Sequence, residues 1–107
     1  MTYIFLYCGL LTATPEILSS VTNMSYTFWY CLSLTTAPVI PSSVTNMTKT
    51  FYNCTPLTGT IEINANPINY DNCFYNTVKP IQIYGQSTAL EGIENTSTNG
   101  NVTVDRT

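Results

Sequence analysis

Hydrophobic and polar residues alternate with a period of two in the second quarter of the chain. Residues 26–35 are YTFWYCLSLT, and one face of an extended strand there would carry Tyr26, Phe28, Tyr30, Leu32 and Leu34. The intervening side chains are more polar. Alternation of this kind is typical of a half-buried β-strand, whose pleated surface suits aromatic side chains. The pattern therefore predicts a strand.

The same pattern returns at an interval of 23 residues. SSVTNM occurs at 19–24 and again at 42–47, within a longer match of YIFLYCGLLTATPEILSSVTNMS to YTFWYCLSLTTAPVIPSSVTNMT. A third copy keeps Phe51, Cys54 and Leu57, and a fainter fourth aligns CFYNTV with TFYNCT. A fixed period is the signature of a repeat architecture. We therefore divide a single β-domain, residues 1–107, into tandem units 3–25, 26–48, 49–71 and 72–94 and a polar tail, 95–107.

Each unit is predicted to hold two strands. The first strand stops near a proline, as at Pro15 and Pro38, and a second passes through SSVTNM. GTIEIN, VKPIQIYG and NVTVD alternate in the same way, and the last follows a strong hairpin dipeptide, Asn99-Gly100. No stretch has a convincing helical period. The nearest, STALEGIE, is short and contains Gly92.

Two all-β architectures accommodate these strands. The first is a small antiparallel sandwich or barrel of about eight strands, built from the two-strand units. The alternative is a β-solenoid in which each unit forms one coil and equivalent residues stack above one another. We favour the sandwich or barrel, because the last two units have diverged too far to stack as a uniform ladder.

The chain carries few charges. Charged residues make up 8% of it, and three basic against six acidic side chains give a net charge of −3. Nucleic acid is therefore not an expected partner, because binding to phosphates needs a basic surface. A surface so poor in charge also lacks the usual protection against self-association.

Four cysteines recur with the repeat. Cys8, Cys31 and Cys54 are equivalent, and Cys73 falls on the matching face of the fourth unit. An even number of cysteines in a short chain predicts disulfides, of which Cys8–Cys31 and Cys54–Cys73 are preferred among three connectivities. Free thiols are the alternative. No metal site is expected, since the chain lacks both histidine and a CxxC spacing.

Five sequons for N-glycosylation are present, at Asn23, Asn46, Asn53, Asn95 and Asn101. The first two are equivalent in successive units, and the last two lie in the most polar segment. Asn53 falls on the apolar face, and a chain rich in Asn and Thr also produces sequons by chance. With the predicted disulfides, the sequons indicate a secreted glycoprotein, extracellular or at the cell surface.

The first fourteen residues allow a second interpretation. YIFLYCGLL followed by TAT resembles the apolar region and cleavage site of a signal peptide. No basic residue precedes it, however, and its aromatic residues align with the second unit, so we interpret it as a strand. It is too short to span a bilayer, and no transmembrane segment is expected.

The titratable residues predict no chemistry. Histidine is absent and the six carboxylates are scattered, whereas acid and base catalysis needs such groups in one pocket. We therefore expect no enzyme, no catalytic residue and no cofactor.

The hypothesis that fits best is a structural subunit of an extracellular, glycosylated, self-assembling filament or surface layer. Its copies would join through strand edges or by donating a terminal strand, 3–11 or 101–105. The alternative is a secreted carbohydrate-binding or adhesion module in which Trp29, Tyr52 and Tyr75 stack on sugars, although a second buried face is the favoured interpretation of these rings. A cross-β assembly through YTFWYCLSL is a third possibility.

Overall fold

The computed structural model describes residues 16–106. Its regular elements are β1 (Gly59–Glu62), β2 (Ile81–Tyr84), α1 (Leu90–Glu94) and β3 (Val102–Asp105). The three strands form one open sheet in the order β1-β2-β3, and both pairings are parallel. Residues 16–106 therefore form a small compact fold with one parallel sheet and one short helix.

The sheet belongs to a stack of coils. Gly59 pairs with Ile81, 22 residues later, and Ile81 pairs with Val102, 21 residues later. Isolated parallel bridges join residues 23 apart, in Asn23 with Asn46, Asn46 with Asn69, and Ile40 with Ile63. Each turn of the chain thus lies on the preceding one, with equivalent residues in rows.

The predicted antiparallel sandwich or barrel is wrong. A strand can pair antiparallel with the next one after a tight turn, whereas here the chain completes a whole coil before it pairs. The 21- to 23-residue offsets are instead those of the alternative, in which one coil stacks on another. The Asn99-Gly100 hairpin is also absent: Gly100 has a φ of 64°, but β3 pairs with β2.

The first predicted strand of the second unit is a pair of turns. Tyr26 and Tyr30 have φ angles of 62° and 59°, and the N–H groups of Thr27 and Cys31 donate to the carbonyls three residues earlier. A left-handed third residue with such a bond is the pattern of a type II turn. Burial follows the turns and not the alternation, since Thr27 and Cys31 are buried and Leu32 is 57% exposed.

The core consists of stacked rows, one side chain from each coil. Phe28, Phe51 and Phe74 form the central row, with ring centroids 5.5 and 5.1 Å apart and planes nearly parallel. Backbone bonds hold the same coils together, from Phe28 N–H to Thr50 at 2.9 Å and from Phe51 N–H to Cys73 at 2.8 Å. Burial of these apolar rows is the main stabilising contribution.

A helix occurs where none was predicted. α1 lies between β2 and β3 in the chain, and it buries Leu90 and Ile93 in the core. Gly92 lies beside the tip of Tyr70, where a Cβ would approach the phenolic oxygen to 2.3 Å. The helix is only five residues long, which explains why periodicity could not reveal it.

The polar tail contains β3, which extends the sheet by one strand. Arg106 follows β3 and forms an ion pair with Glu91 of α1, in which Nε donates to Oε2 at 3.1 Å. Of the helices in residues 16–106, none has the length and apolar character needed to cross a bilayer.

Candidate functional site

Trp29, Tyr52 and Tyr75 lie in one row on the turn side, the part of the coils formed by the equivalent turns 25–30, 48–53 and 71–76. The Tyr52 and Tyr75 rings are 4.7 Å apart between centroids and within 12° of parallel, and the Trp29 and Tyr52 rings are 6.5 Å apart. Tyr30 adds an edge contact to Trp29 at 4.5 Å. The repeat alignment therefore predicted correctly that these side chains are equivalent.

The geometry of the row suits packing better than sugar binding. A sugar ring stacks on the open face of an aromatic ring, but Tyr52 and Tyr75 cover each other's faces. Trp29 and Tyr52 are partly buried, and Tyr75 is 38% exposed. Stacked aromatic pairs contribute about 0.5–1.5 kcal/mol beyond the area that they bury. The main role of the row is therefore to pack successive coils against one another near the surface.

Two sequon asparagines form a ladder with Asn69. Asn23 and Asn46 are adjacent in the isolated bridges, and each side-chain oxygen accepts from the backbone N–H two residues later, at 2.8 and 2.9 Å. These Asx turns fix the amide oxygen and not the nitrogen that would carry a glycan. Both residues are half-buried.

The other three sequons differ in how accessible they are. Asn95 ends α1 and is exposed. Asn101 Nδ2 donates to Lys79 O at 2.8 Å and to Thr77 Oγ1 at 3.0 Å, so a glycan on it would displace at least one bond. Asn53 has a φ of 60° in a turn, and its buried Oδ1 has no partner among the described residues. Accessibility thus favours Asn95.

The cysteines divide into a bonded one and two free ones. Cys31 is in a disulfide. The predicted partner, Cys8, lies outside the described residues. Cys54 and Cys73 are buried and free, so the bond predicted between them is not formed. The reason is register, because the backbone turns place Cys54 in the row of Cys31 and Thr77, and Cys73 in that of Thr27 and Thr50.

Burial keeps both thiols protonated. Desolvation raises the pKa of Cys54 to about 12, and a hydrogen bond with the Cys31 backbone acts in the opposite direction. The thiol itself donates to the Phe28 carbonyl at 2.9 Å. Desolvation also raises the pKa of Cys73. A reactive cysteine needs an accessible thiolate, so these two side chains act as core residues.

The outer edge of β3 is the second notable feature. Asn101 O and Asp105 O accept bonds from Ile81 and Gly85, so alternate residues of β3 face β2. The backbone N–H and C=O groups of Val102 and Val104 therefore point away from β2. No described residue pairs with them. A row of such groups is a template for another strand.

A polar cleft of about 570 Å³ lies where β1 and β2 end, lined by Glu62, Asn64, Asn66, Tyr84, Gly85, Gln86, Ser87 and Thr88. Sequence reasoning did not identify it. The signal was present in GTIEINAN and VKPIQIYGQST, but it becomes visible only when the two segments are placed in parallel register.

Among residues 16–106, no three of the Cys, Asp and Glu side chains come together as a metal site. No protein-family model, curated protein or solved structure matches the chain. Its function is therefore argued from its own geometry.

Proposed function

We propose that the protein is a structural subunit of an extracellular, glycosylated filament or surface layer, and that its copies join through strand edges. The observation that carries this proposal is the outer edge of β3. Its outward N–H and C=O groups would continue the parallel stack into a second copy, head to tail. A head-to-tail contact that does not close on itself generates a polymer.

The surface chemistry supports self-association. With 8% charged residues, the chain has few of the lysines and glutamates that keep strand edges apart. On β3 the exposed Thr103 is neutral, and Asp105 and Arg106 come only at the end of the strand. The three residues of β3 before Asp105 therefore carry no charge that would oppose pairing.

Strand donation by 101–105 is the less favoured form of joining. β3 is already bonded along its length to β2 of the same chain, and its donation would uncover Ile81 and Ile83. An edge that accepts a partner keeps those contacts. The other predicted donor, 3–11, lies outside the described residues.

A matched pair of variants tests the role of the edge. Val104→Pro removes the outward N–H, and proline is tolerated on an edge strand where that group faces outward. Val104→Ala removes side-chain packing but keeps the N–H. We expect fibres or growing oligomers for the wild type and the alanine variant, in sedimentation velocity and negative-stain images, and monomers for the proline variant.

Two outcomes would overturn the proposal of a filament. One is a wild-type protein that stays monomeric as its concentration rises. The other is a dimer that grows no further, because an isologous contact between two β3 edges closes the assembly. Equal association of the proline and alanine variants would mean that the copies join through a surface other than the edge of β3.

Glycosylation needs its own test. Protein secreted by eukaryotic cells should lose mass on enzymatic removal of N-glycans, with Asn23, Asn46 and Asn95 as the expected sites. Asn95→Gln should then remove one glycan, whereas Asn101→Gln should remove none, because its amide is engaged in two hydrogen bonds. An unchanged mass would overturn this part of the proposal.

A carbohydrate-binding or adhesive role is the second candidate. The observation that favours it is the polar cleft beside Tyr84 and not the row of stacked aromatic rings.

A further inference from the structure

The cleft at the ends of β1 and β2 is formed by the close approach of two coils. Gly85 makes this approach possible, since a Cβ there would lie 2.2 Å from the carbonyl oxygen of Ile63. The segments after β1 and β2, which carry Asn64, Asn66, Ser87 and Thr88, then face each other. A cleft of about 570 Å³ is within the range of small-molecule sites, about 300–1,000 Å³.

Hydrogen bonds engage one polar atom of several of these side chains. Asn66 Oδ1 accepts from Ser87 Oγ at 2.8 Å, and that hydroxyl oxygen accepts from the Ala89 N–H at 2.9 Å. Asn64 Nδ2 donates to Glu62 Oε2 at 2.9 Å. Gln86 Nε2 donates to the Arg106 carbonyl at 3.0 Å. The side chains are thereby ordered before any ligand arrives, which lowers the entropic cost of binding.

Other polar atoms in the cleft are available to bind a ligand. Among the described residues, no hydrogen-bond partner engages Glu62 Oε1, Gln86 Oε1, Asn66 Nδ2 or the Tyr84 hydroxyl. The cleft thus offers two acceptors, an amide donor, and a phenol that can both donate and accept. A ligand with several hydroxyl groups matches this mixture, because each hydroxyl can donate and accept.

Tyr84 adds an apolar surface beside these groups. It stands opposite Glu62 in the parallel register, on the outer face of the sheet, and is 36% exposed. No aromatic ring contact involving Tyr84 is found among residues 16–106, in contrast with the mutually stacked Tyr52 and Tyr75. Its ring can therefore take the apolar C–H face of a sugar.

The charges exclude an anionic ligand. Among the described residues, Glu62 is the one charged side chain that lines the cleft. The nearby guanidinium of Arg106 is paired with Glu91 and holds the pKa of that carboxyl below its usual value. A phosphate or carboxylate ligand would thus meet a carboxylate and no cation that is unpaired.

We infer that this cleft binds a neutral saccharide, with its apolar face on Tyr84 and its hydroxyls on Glu62, Asn66 and Gln86. The site is distinct from the row at Trp29, and it is independent of self-association, because binding needs none of the outward backbone groups of β3.

Saturation-transfer NMR tests this inference, with the methyl glycosides of glucose, galactose, mannose and N-acetylglucosamine as probes and glycerol as control. We expect transfer to at least one glycoside and none to glycerol. In a titration followed by amide shifts, residues 62–66 and 84–88 should move, and 26–31 should not. Tyr84→Ala should weaken binding tenfold or more, and Tyr84→Phe about twofold.

The Val104→Pro protein provides a monomeric host for the same measurement, so that loss of sugar binding and loss of assembly are separated. Tyr75→Ala is the matched control, because Tyr75 is an exposed tyrosine that does not line the cleft, and it should leave the affinity unchanged. The inference is overturned if no glycoside receives saturation. It is also overturned if the shifts map to the Trp29 row, or if Tyr84→Ala and Tyr75→Ala behave alike.

Discussion

The turn side and the sheet side hold the same coils together in different ways. On the sheet side, β1, β2 and β3 are extended, and paired strands both donate hydrogen bonds to each other and accept them. On the turn side, the N–H groups of alternate residues 24–30 donate to the next coil, and the chain between them folds into tight turns. One side is held by a regular ladder, and the other by turns and stacked side chains.

This difference explains where each side is vulnerable. The turn side depends on its rows, because left-handed residues such as Tyr26 and Lys49 oppose the local backbone preference. The sheet side follows ordinary strand preferences, so its weak point is the spacing between coils. Substitutions should therefore act through packing on the turn side and through backbone approach on the sheet side.

The largest expected effect is on the turn side. Phe51→Ala removes the middle ring of the Phe28–Phe51–Phe74 row, which is fully buried. The free energy of unfolding should fall by about 3–5 kcal/mol, measured by urea denaturation. Ile68→Ala, at an 80% exposed position, is the control and should stay within about 0.5 kcal/mol.

Phe51→Leu serves where the alanine variant fails to fold, since it leaves a smaller cavity and should be destabilised less. If Phe51→Ala were as stable as Ile68→Ala, the stack of rings would not be the support of the turn side.

The next effect is on the sheet side. Gly85→Ala places a methyl group against the Ile63 carbonyl, which is backbone and cannot turn aside. We expect a loss of about 1–3 kcal/mol in the free energy of unfolding. Hydrogen exchange at Ile63, whose N–H donates to Tyr84 at 2.8 Å, should become faster. Gln82→Ala, at an exposed position of β2, should change neither quantity. Unchanged exchange in Gly85→Ala would contradict the close approach.

Sequence reasoning located the three strands but not their partners. GTIEIN, VKPIQIYG and NVTVD contain β1, β2 and β3, because alternation reports an extended backbone with one buried face. It does not report direction, which here follows from the coil length. The 23-residue repeat held that information, because the last units stack in parallel in spite of their divergence.

On the turn side, alternation was misleading. Aromatic residues at 26, 28 and 30 fit a strand, but they also fit two consecutive turns with one inward ring at Phe28. The sequence held one signal for these turns, because asparagine tolerates a left-handed φ and occurs at three of the left-handed positions, Asn53, Asn72 and Asn76. The tyrosines and the lysine at the other three, Tyr26, Tyr30 and Lys49, give no such signal. The cleft could not be predicted from the sequence either, because its lining residues come together only when β1 and β2 pair in parallel.

The buried thiols distinguish the interior of the turn side from its surface. Cys54 and Cys73 should resist iodoacetamide at pH 8 in the folded protein and react in urea, as peptide mass spectrometry would detect. Burial raises the pKa of both thiols in the folded state. Their contribution to the free energy of unfolding is therefore complete below the unfolded-state pKa of about 8.5, and it is lost as the pH rises above that value.

At one pH unit above that value, the loss should reach about 1 kcal/mol per thiol in the free energy of unfolding. A Cys54→Ala, Cys73→Ala double variant is the control, and its stability should fall less steeply between pH 8 and 10. Rapid alkylation of the folded protein at pH 8 would mean that this interior opens readily.

The smallest expected effect concerns backbone strain on the turn side. Lys49 has a φ of 53°, and the equivalent position one coil later is Asn72. A left-handed residue other than glycine or asparagine costs about 1–2 kcal/mol. Lys49→Asn also loses two contacts with Tyr26, the hydrogen bond from Lys49 Nζ to the hydroxyl at 3.3 Å and a cation–π contact with the ring. These contribute about 0.5–1 kcal/mol at an exposed site.

The net change for Lys49→Asn should be a gain of about 0.5 kcal/mol in the free energy of unfolding. Lys79→Asn is the matched control, because it removes the same charge at an exposed position whose φ is not left-handed. A gain at residue 49 without one at residue 79 would trace the effect to the turn. Equal changes at both positions would assign it to charge and leave the turn side unstrained.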